Sequence, residues 1–199
     1  MTLDDLLDSK GWYAGVKIVE EGRMLLSVRV GAPIIPAPPG ASVHLRWIGG
    51  GGVPGETPVA CAQREAREEL TCPVEIEHSP TTYVRKPPGP FSQVQLSDRP
   101  APLLHEFWAD LDESSILYRA RLLDEPQPGD VPALAWVPLA AVATLIEGVP
   151  YGRIAELGIE VLGNPSVDGS ATAFIGELGS EVFFSELVAK GLEPGSGRS

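Results

Sequence analysis

The chain has 199 residues, of which 43% are hydrophobic and 21% are charged, an ordinary composition for a folded globular protein. Its 27 acidic and 15 basic side chains give a formal net charge of −12. A field of this sign repels nucleic-acid backbones and anionic membranes, so the composition disfavours both as partners. A small phosphate compound can still bind where a metal ion reverses the local field.

The first residues have neither the basic start nor the long apolar run of a signal peptide. No segment reaches the roughly eighteen uninterrupted apolar residues that a membrane span needs. Cys61 and Cys72 are the two cysteines, too few for a structural zinc site. We therefore expect a cytoplasmic protein that has no membrane and no nucleic-acid partner.

The N-terminal part of the chain predicts a short helix followed by strands. Thr2 and Asp5 have the spacing of a capping box, which predicts a helix from residue 3 to about residue 9. In chain order we then expect a strand over 13–19, a hairpin turn over 20–22, a strand over 23–30, a proline-rich loop over 32–40 and a strand over 43–48, which ends in the glycines 49–52.

The strongest local signal marks a helix over residues 58–70. Thr57 is a good N-cap, and Pro58 suits the first helical position because its missing N–H would have no partner there. Pro73 indicates that the helix ends soon after Leu70.

Strands and short helices are expected after this helix. In chain order they are a proline-rich loop over 86–102, strands over 104–111 and 116–123 joined by a turn at 112–115, a short strand over 136–139, a helix over 140–147, an apolar segment over 180–190 and a polar, glycine-rich tail over 191–199. Strands interleaved with a few helices predict the α/β class.

Three carboxylates share one face of the predicted helix. Glu65, Glu68 and Glu69 lie at i, i+3 and i+4, where like charges repel one another. A hard divalent cation would offset that repulsion, because Mg²⁺ and Mn²⁺ favour oxygen ligands. The glutamates alone are more typical of a solvated, charged helix than of a metal site, so the wider pattern has to decide.

That wider pattern resembles the Nudix box, the signature of the Nudix hydrolases. The family pattern is Gly-x5-Glu-x7-Arg-Glu-U-x-Glu-Glu-x-Gly-U, where U is a bulky apolar residue. The positions that match in this sequence are Gly50, Glu56, Arg64, Glu65, Glu68 and Glu69. Ala66 and Cys72 fill the apolar positions, and Thr71 replaces the final glycine. A β-branched residue is disfavoured at positive φ, so we expect the helix to end by another geometry, aided by Pro73.

The resemblance implies a Nudix-type α/β/α sandwich with a mixed β-sheet and a role for each matching residue. Glu68 and Glu69 correspond to the metal-binding glutamates, and Glu65 corresponds to a further metal ligand that also acts as the base in some members. Arg64 corresponds to the arginine that orients these glutamates, and Glu56 to a residue that supports the site. The implied cofactor is Mg²⁺ or Mn²⁺.

The glycines before the helix complete the implied site. Gly50 corresponds to the family's glycine, and we expect its backbone to lie near the metal. A carboxylate from a loop often completes such sites, and Glu106, Glu125 and Asp130 are the three candidates.

The substrate signal lies outside the box. ADP-ribose pyrophosphatases usually have a proline about sixteen residues after the box. This chain resembles them, because Pro87 and Pro88 stand at that distance. Arg85 and Lys86, directly before them, are candidates for binding the substrate phosphates.

The implied activity is metal-dependent hydrolysis of the pyrophosphate bond in a nucleoside diphosphate linked to another moiety, with ADP-ribose or a nucleotide sugar as the favoured small-molecule nucleotide substrate. The alternatives are hydrolysis of nucleoside triphosphates or dinucleoside polyphosphates, an isomerase or a decapping-type activity on the same fold, and a Nudix-like domain that senses a nucleotide.

We expect an N-terminal helical extension over 1–12, a Nudix domain over 13–165, a C-terminal extension over 166–190 and a disordered tail over 191–199. Extensions of this kind often support dimerisation, which makes a homodimer an option.

Overall fold

The computed structural model describes residues 1–7, 11–31, 40–87 and 89–175. The chain divides into two compact units, one of Met1–Ile18 with Trp47–Asp130 and one of Val19–Arg46 with Val131–Ser199. Within the described ranges, none of the helices has the length and apolar character needed to span a membrane.

Thirteen strands and two α-helices make up the described chain. The strands are β1 (Gly11–Glu20), β2 (Arg23–Val30), β3 (Ala41–Arg46), β4 (Ile48–Gly51), β5 (Val74–Glu77), β6 (Thr82–Arg85), β7 (Ser92–Val94), β8 (Leu104–Trp108), β9 (Glu113–Leu122), β10 (Ala133–Pro138), β11 (Val149–Pro150), β12 (Glu160–Gly163) and β13 (Thr172–Ile175). The α-helices are α1 (Pro58–Leu70) and α2 (Val142–Glu147), and 3₁₀ helices cover Leu139–Ala141 and Tyr151–Leu157.

The first unit is a mixed sheet that carries α1. Its strands follow the order β4, β1, β9, β8, β6 and β7, and β5 pairs with the second half of β9. β1 runs parallel to β9 and β6 runs parallel to β8, while the other pairs are antiparallel. The apolar face of α1, with Cys61, Ala62, Ala66 and Leu70, is completely buried. This burial supplies most of the stability of a helix that would be marginal alone.

The glycine run continues the sheet instead of ending it. Gly49, Gly50 and Gly51 lie in β4 and pair with Gly15, Ala14 and Tyr13 of β1. A Cβ on Gly49 would overlap the backbone of β1, so only glycine permits this close approach of the two strands. The expected strand over 43–48 is therefore two strands, β3 and β4, with Trp47 between them.

The second unit contains its own sheet, in the order β11, β13, β3, β2, β10 and β12. The end of β1 enters this unit and pairs Val19 and Glu20 with Met24 and Arg23 of β2. The hairpin turn between them has Glu21 at φ 49° and Gly22 at φ 74°, the positive values that a two-residue hairpin loop requires. α2 packs against β13, whose Ala173, Phe174 and Ile175 are buried.

Several elements predicted from the sequence have the expected bounds. The strand over 23–30, the helix over 58–70 and the hairpin turn over 20–22 are confirmed. The short strand and helix expected over 136–147 are present as β10, a 3₁₀ turn and α2. The turn between β8 and β9 lies over 109–112 instead of 112–115, because β9 begins earlier, at Glu113, and Asp112 takes a positive φ of 52°.

Other strands were not expected from the sequence. β5, β6, β11, β12 and β13 have four residues or fewer, and β7 lies inside the segment expected to be a loop. β13 lies within residues 166–190 and runs parallel to β3, so this segment contributes a strand to the second unit. The loop over 32–39 and the segments 180–190 and 191–199 lie outside the described residues.

The expected N-terminal helix is a single turn within residues 1–7. Its capping box is present: the Thr2 N–H donates to Asp5 Oδ2 at 2.6 Å, and the Asp5 N–H donates to Thr2 Oγ1 at 3.3 Å. The Leu3 N–H donates to Asp98 Oδ2 at 2.7 Å, which fixes this turn to the segment before β8.

Candidate active site

The start of α1 is fixed by residues next to it in sequence. The Thr57 hydroxyl accepts a hydrogen bond from the Ala60 N–H at 3.3 Å, and Pro58 occupies the first turn. These are the N-cap and first-turn roles that the sequence predicts. The residues next to the helix thus determine where α1 begins, and α1 packs against β4.

Arg64 lies at the centre of the carboxylates. Its Nε and Nη2 donate to the two oxygens of Glu56 at 3.0 and 3.1 Å, a two-point contact. Its Nη1 donates to Glu65 Oε1 at 2.6 Å and to Glu68 Oε2 at 3.0 Å. Nη2 also donates to the Gly51 carbonyl at 3.0 Å. One side chain therefore ties α1, β4 and the segment before the helix together.

The hydrogen bonds from Arg64 determine the electrostatics of this cluster. They hold the pKa of Glu56 below its usual value, and an N–H from Val53 contributes in the same direction. The same bonds, first to Glu56 and then to Glu65, raise the pKa of Arg64. Arg64 thus stays charged and the Glu56 carboxylate stays ionised at any physiological pH.

Gly50 leaves room for the carboxylate of Glu65. A Cβ at Gly50 would overlap that carboxylate, so a side chain here would displace it. The Gly50 carbonyl also accepts a hydrogen bond from the thiol of Cys61 at 3.5 Å. Burial, the largest cause, raises the pKa of Cys61 to about 12 and keeps the thiol neutral. The backbone of Gly50 therefore lies directly against the Glu65 carboxylate.

Glu68 and Glu69 have different environments although they are neighbours in sequence. The Glu68 side chain is 47% exposed, whereas Glu69 is fully buried. Their directions differ because successive residues project about 100° apart around a helix. The three glutamates therefore differ in burial: Glu68 is partly exposed, Glu65 is mostly buried and Glu69 is fully buried.

The carboxylates near Arg64 provide oxygen donors, the type of ligand that a divalent cation such as Mg²⁺ prefers. In the part of the chain that the structure describes, no three His, Cys, Asp or Glu side chains are gathered into a ready metal cluster. Glu65 and Glu68 nevertheless both accept hydrogen bonds from one nitrogen, Nη1 of the cationic Arg64 side chain. Oxygen donors that already meet around a cationic group fit a hard ion such as Mg²⁺.

The end of α1 corrects the expectation about Thr71. This residue has φ 52° and ψ 10°, the left-handed conformation that we expected it to avoid. Its N–H donates to the Arg67 carbonyl at 3.1 Å, and its hydroxyl donates to the Gln127 carbonyl at 3.3 Å. These contacts offset the strain of a β-branched residue at positive φ. The prediction was wrong because the residue that bonds the hydroxyl lies far away in sequence.

The three candidates for a loop carboxylate lie in different surroundings. Glu106 is fully buried on β8, and burial raises its pKa to about 8 despite the opposing effect of Arg85. Glu125 is exposed, and its N–H donates to the side chain of Asp124. The backbone N–H of Asp130 donates to the Glu68 carbonyl at 3.1 Å. Of the three, Asp130 thus has a direct contact with α1.

Arg85 and Lys86 are not brought together. The guanidinium of Arg85 lies 5.0 Å from the ring centre of Phe91, and the ammonium of Lys86 lies 4.7 Å from that of Phe107. Arg85 pairs across the sheet with Glu106, the residue before Phe107. The two cations therefore lie over different rings, and their role in binding the substrate phosphates stays a prediction. Pro88 lies outside the described residues.

One contributor to the site was missed from the sequence: the segment 127–130 bonds the end of α1. Carbonyl or amide contacts from the backbone around Gly51 and Gly52 were expected near the metal, and the Gly51 carbonyl accepts a hydrogen bond from Arg64. No sequence pattern links Gln127 or Gly129 with a helix that ends at Leu70, because the contact is made through backbone groups.

Solved structures that resemble this chain include several Nudix hydrolases. A Nudix hydrolase from Nitrosomonas europaea shares 17% identity at a TM-score of 0.46, and the match covers 92% of this chain and 74% of that one. A MutT Nudix hydrolase from Burkholderia pseudomallei shares 24% identity at a TM-score of 0.40, covering 65% and 84%. An ADP-ribose pyrophosphatase from Streptococcus suis shares 14% identity at a TM-score of 0.40, covering 65% and 75%. No curated protein matches the sequence.

The family profile for the NUDIX domain matches residues 13–155. This range includes all six residues of the box, and the mixed α/β architecture of the chain agrees with the family fold. The chain belongs to the Nudix hydrolase family.

Proposed function

We propose that this protein hydrolyses the pyrophosphate bond of a nucleoside diphosphate linked to another moiety, with ADP-ribose or a nucleotide sugar as the favoured substrate and Mg²⁺ or Mn²⁺ as cofactor. The observation that carries the proposal is the gathering of Glu56, Glu65 and Glu68 around Arg64, beside Gly50.

The formal charges of this cluster support a divalent cation. Three carboxylates bond one guanidinium, which leaves an excess of two negative charges before Glu69 is counted. The Glu56 and Glu65 side chains are only 11% and 15% exposed, so water solvates this excess poorly. A divalent cation would balance it.

The residues that would hold the cation are Glu65, Glu68 and Glu69, with the Gly50 carbonyl as a further oxygen donor. When bound, the cation supplies charge neutralisation at the phosphates and a lower pKa for water. Arg64 orients Glu65 and Glu68 through two hydrogen bonds from one nitrogen.

Glu65 is the proposed base. It takes a proton from the attacking water, whose oxygen forms a bond to one phosphorus while the bond from that phosphorus to the bridging oxygen breaks. The products are two phosphate monoesters, one of them a nucleoside monophosphate. Asp130 is the proposed loop carboxylate, since its backbone contacts Glu68.

A panel of substrates tests the proposal. Nucleotide sugars, ADP-ribose, dinucleoside polyphosphates and nucleoside triphosphates would be incubated with the protein and either Mg²⁺ or Mn²⁺, and the products would be resolved by chromatography. We expect metal-dependent cleavage of a diphosphate-linked compound. If the folded protein cleaves no member of the panel, the proposal fails and the sensor alternative gains.

Replacing Glu69 tests its assignment as a ligand. Glu69→Gln keeps the size of the side chain but removes its charge, and we expect kcat to fall by about 10²-fold or more. Glu77→Gln, a partly exposed carboxylate on β5, is the matched control and should keep full activity. Because Glu69 is buried, Glu68→Gln provides a second variant whose folding is at less risk. Undiminished metal-dependent hydrolysis by Glu69→Gln would show that Glu69 is not a ligand.

A further inference from the structure

The last turn of α1 has a hydrogen-bond donor for each of its final four carbonyls, which an isolated helix leaves unpaired. Thr71 N–H donates to Arg67 O at 3.1 Å, within the helix end itself. The other three donors come from the segment 127–130, here named the capping loop. They are Asp130 N–H to Glu68 O at 3.1 Å, Gly129 N–H to Glu69 O at 2.9 Å and Gln127 N–H to Leu70 O at 2.9 Å.

The capping loop therefore bonds the backbone of the two glutamates assigned to the metal. The carbonyls of Glu68 and Glu69 are its acceptors, and the Thr71 hydroxyl bonds back to the Gln127 carbonyl at 3.3 Å. Contacts in both directions fix the position of the loop along the helix axis. A helix end is otherwise free to fray, and fraying here would move the glutamates themselves.

Gly129 has no room for a side chain. A Cβ at this position would overlap the carbonyl oxygen of Glu68 and would stand 3.0 Å from Cγ2 of Thr71. Its backbone is not in the left-handed region, so alanine could adopt the same φ without strain. The requirement for glycine is the close approach to the Glu68 carbonyl.

We propose that Gly129 is a positioning residue of the active site: by letting the capping loop reach the carbonyls of Glu68 and Glu69, it sets where these two carboxylates stand. This inference rests on the proposed function for the assignment of the glutamates. A side chain at residue 129 has to push the loop away from α1 or shift Glu68. A displacement of about 1 Å can reduce a catalysed rate by about 10²-fold.

The experiment compares Gly129→Ala with Gln127→Ala in the full chain. Gln127 is exposed and bonds α1 through its backbone only, so its alanine variant keeps the hydrogen bond and serves as the matched control. Binding of Mn²⁺ alone would be measured by electron paramagnetic resonance, kcat and KM on the best substrate by steady-state kinetics, and folding by circular dichroism.

For Gly129→Ala we expect Mn²⁺ to bind at least about tenfold more weakly and kcat to fall by about tenfold or more, with KM changed much less. Gln127→Ala should have the Mn²⁺ affinity and the kcat of the wild type. A Gly129→Ala variant with a lower melting temperature but wild-type Mn²⁺ affinity and kcat would make Gly129 merely structural and overturn the inference.

The Mn²⁺ measurement separates this inference from the proposed function. If the wild type binds Mn²⁺ but cleaves no substrate, the function fails while the affinities of the two variants still decide the role of Gly129. If the wild type binds no Mn²⁺, the proposed metal-dependent function and the positioning role of Gly129 both fail.

Discussion

Two arginine–glutamate contacts in the first unit have opposite consequences for the carboxylate. Arg64 donates two hydrogen bonds to Glu56, and the pKa of Glu56 falls. Arg85 makes one long contact of 3.5 Å with the fully buried Glu106, whose pKa rises to about 8. Burial outweighs the arginine in the second pair, because a single poorly placed contact does not replace the lost water. The difference shows that the number and geometry of the bonds decide which form of the carboxyl is favoured.

Polar atoms around the second pair lack partners among the described residues. Arg85 Nε, Glu106 Oε2 and Trp108 Nε1 are buried and have no hydrogen bond there. Arg64, by contrast, uses Nε, Nη1 and Nη2, and its side chain remains 28% exposed. Arg64 is a hub that holds charged carboxylates in place, whereas in the second pair burial favours the protonated form of the Glu106 carboxyl.

Removing the hub should give the largest effect. Arg64→Ala leaves Glu56, Glu65 and Glu68 without their shared donor, so we expect kcat to fall by about 10²-fold or more. Arg64→Lys keeps the charge but not the planar fork, and its activity should lie between that of alanine and the wild type. Steady-state kinetics would check both, and an alanine variant as active as wild type would contradict the hub.

The buried pair should affect stability through pH. The raised pKa of Glu106 means that the folded state holds a proton that the unfolded state releases above about pH 4.5. The stabilisation that protonated Glu106 gives to the folded state is therefore fully present below pH 4.5 and is lost as the pH rises towards 8. We expect wild type to lose up to about 4 kcal/mol of unfolding free energy over this range relative to Glu106→Gln.

Urea denaturation of both proteins between pH 5 and pH 8 measures this difference. Burial lowers the pKa of the neighbouring His105 to about 4, which destabilises the fold as the pH falls below 6.5. Both proteins share this histidine, so its effect cancels in the comparison. Parallel curves for the two proteins would show that Glu106 is ionised in the fold.

A largely exposed ion pair, Arg153 with Glu156, should have the smallest effect of the three. Arg153 and Glu156 bond at 2.8 Å, but their side chains are 66% and 61% exposed. Water screens such a pair and ordering the side chains costs entropy, so Arg153→Ala should leave the melting temperature unchanged within error. A clear drop in calorimetry would mean that Arg153 has a further role.

The sequence predicts features whose partners are close along the chain. The bounds of α1 follow from Thr57, Pro58 and the apolar face, and the contact between Arg64 and Glu56 joins residues eight positions apart. The resemblance to the family pattern added predicted roles for the glutamates, which spacing alone does not give. Short strands such as β5 and β7 carry too few residues to show an alternating pattern, so they were missed.

Contacts between distant residues could not be predicted in this way. The Thr71 hydroxyl bonds a residue 56 positions later, and the backbone carbonyls of Glu68 and Glu69 bond Asp130 and Gly129. Backbone groups carry no residue identity, so no pattern of side chains indicates these contacts. The burial of Glu106 likewise depends on how the strands pair, which composition does not specify.

The capping loop has a consequence for protein engineering. Its residues Gln127 and Gly129 are exposed, and a proline-containing surface loop of this kind is where tags, inserted domains or new chain termini are normally placed. Here an added residue would shift the backbone N–H groups of the capping loop away from the carbonyls of the last helical turn that they bond. Side chains such as Gln127 are open to change, whereas the length of the segment between β9 and β10 is not. An insertion scan across this loop would meet intolerance at a site that surface exposure alone recommends.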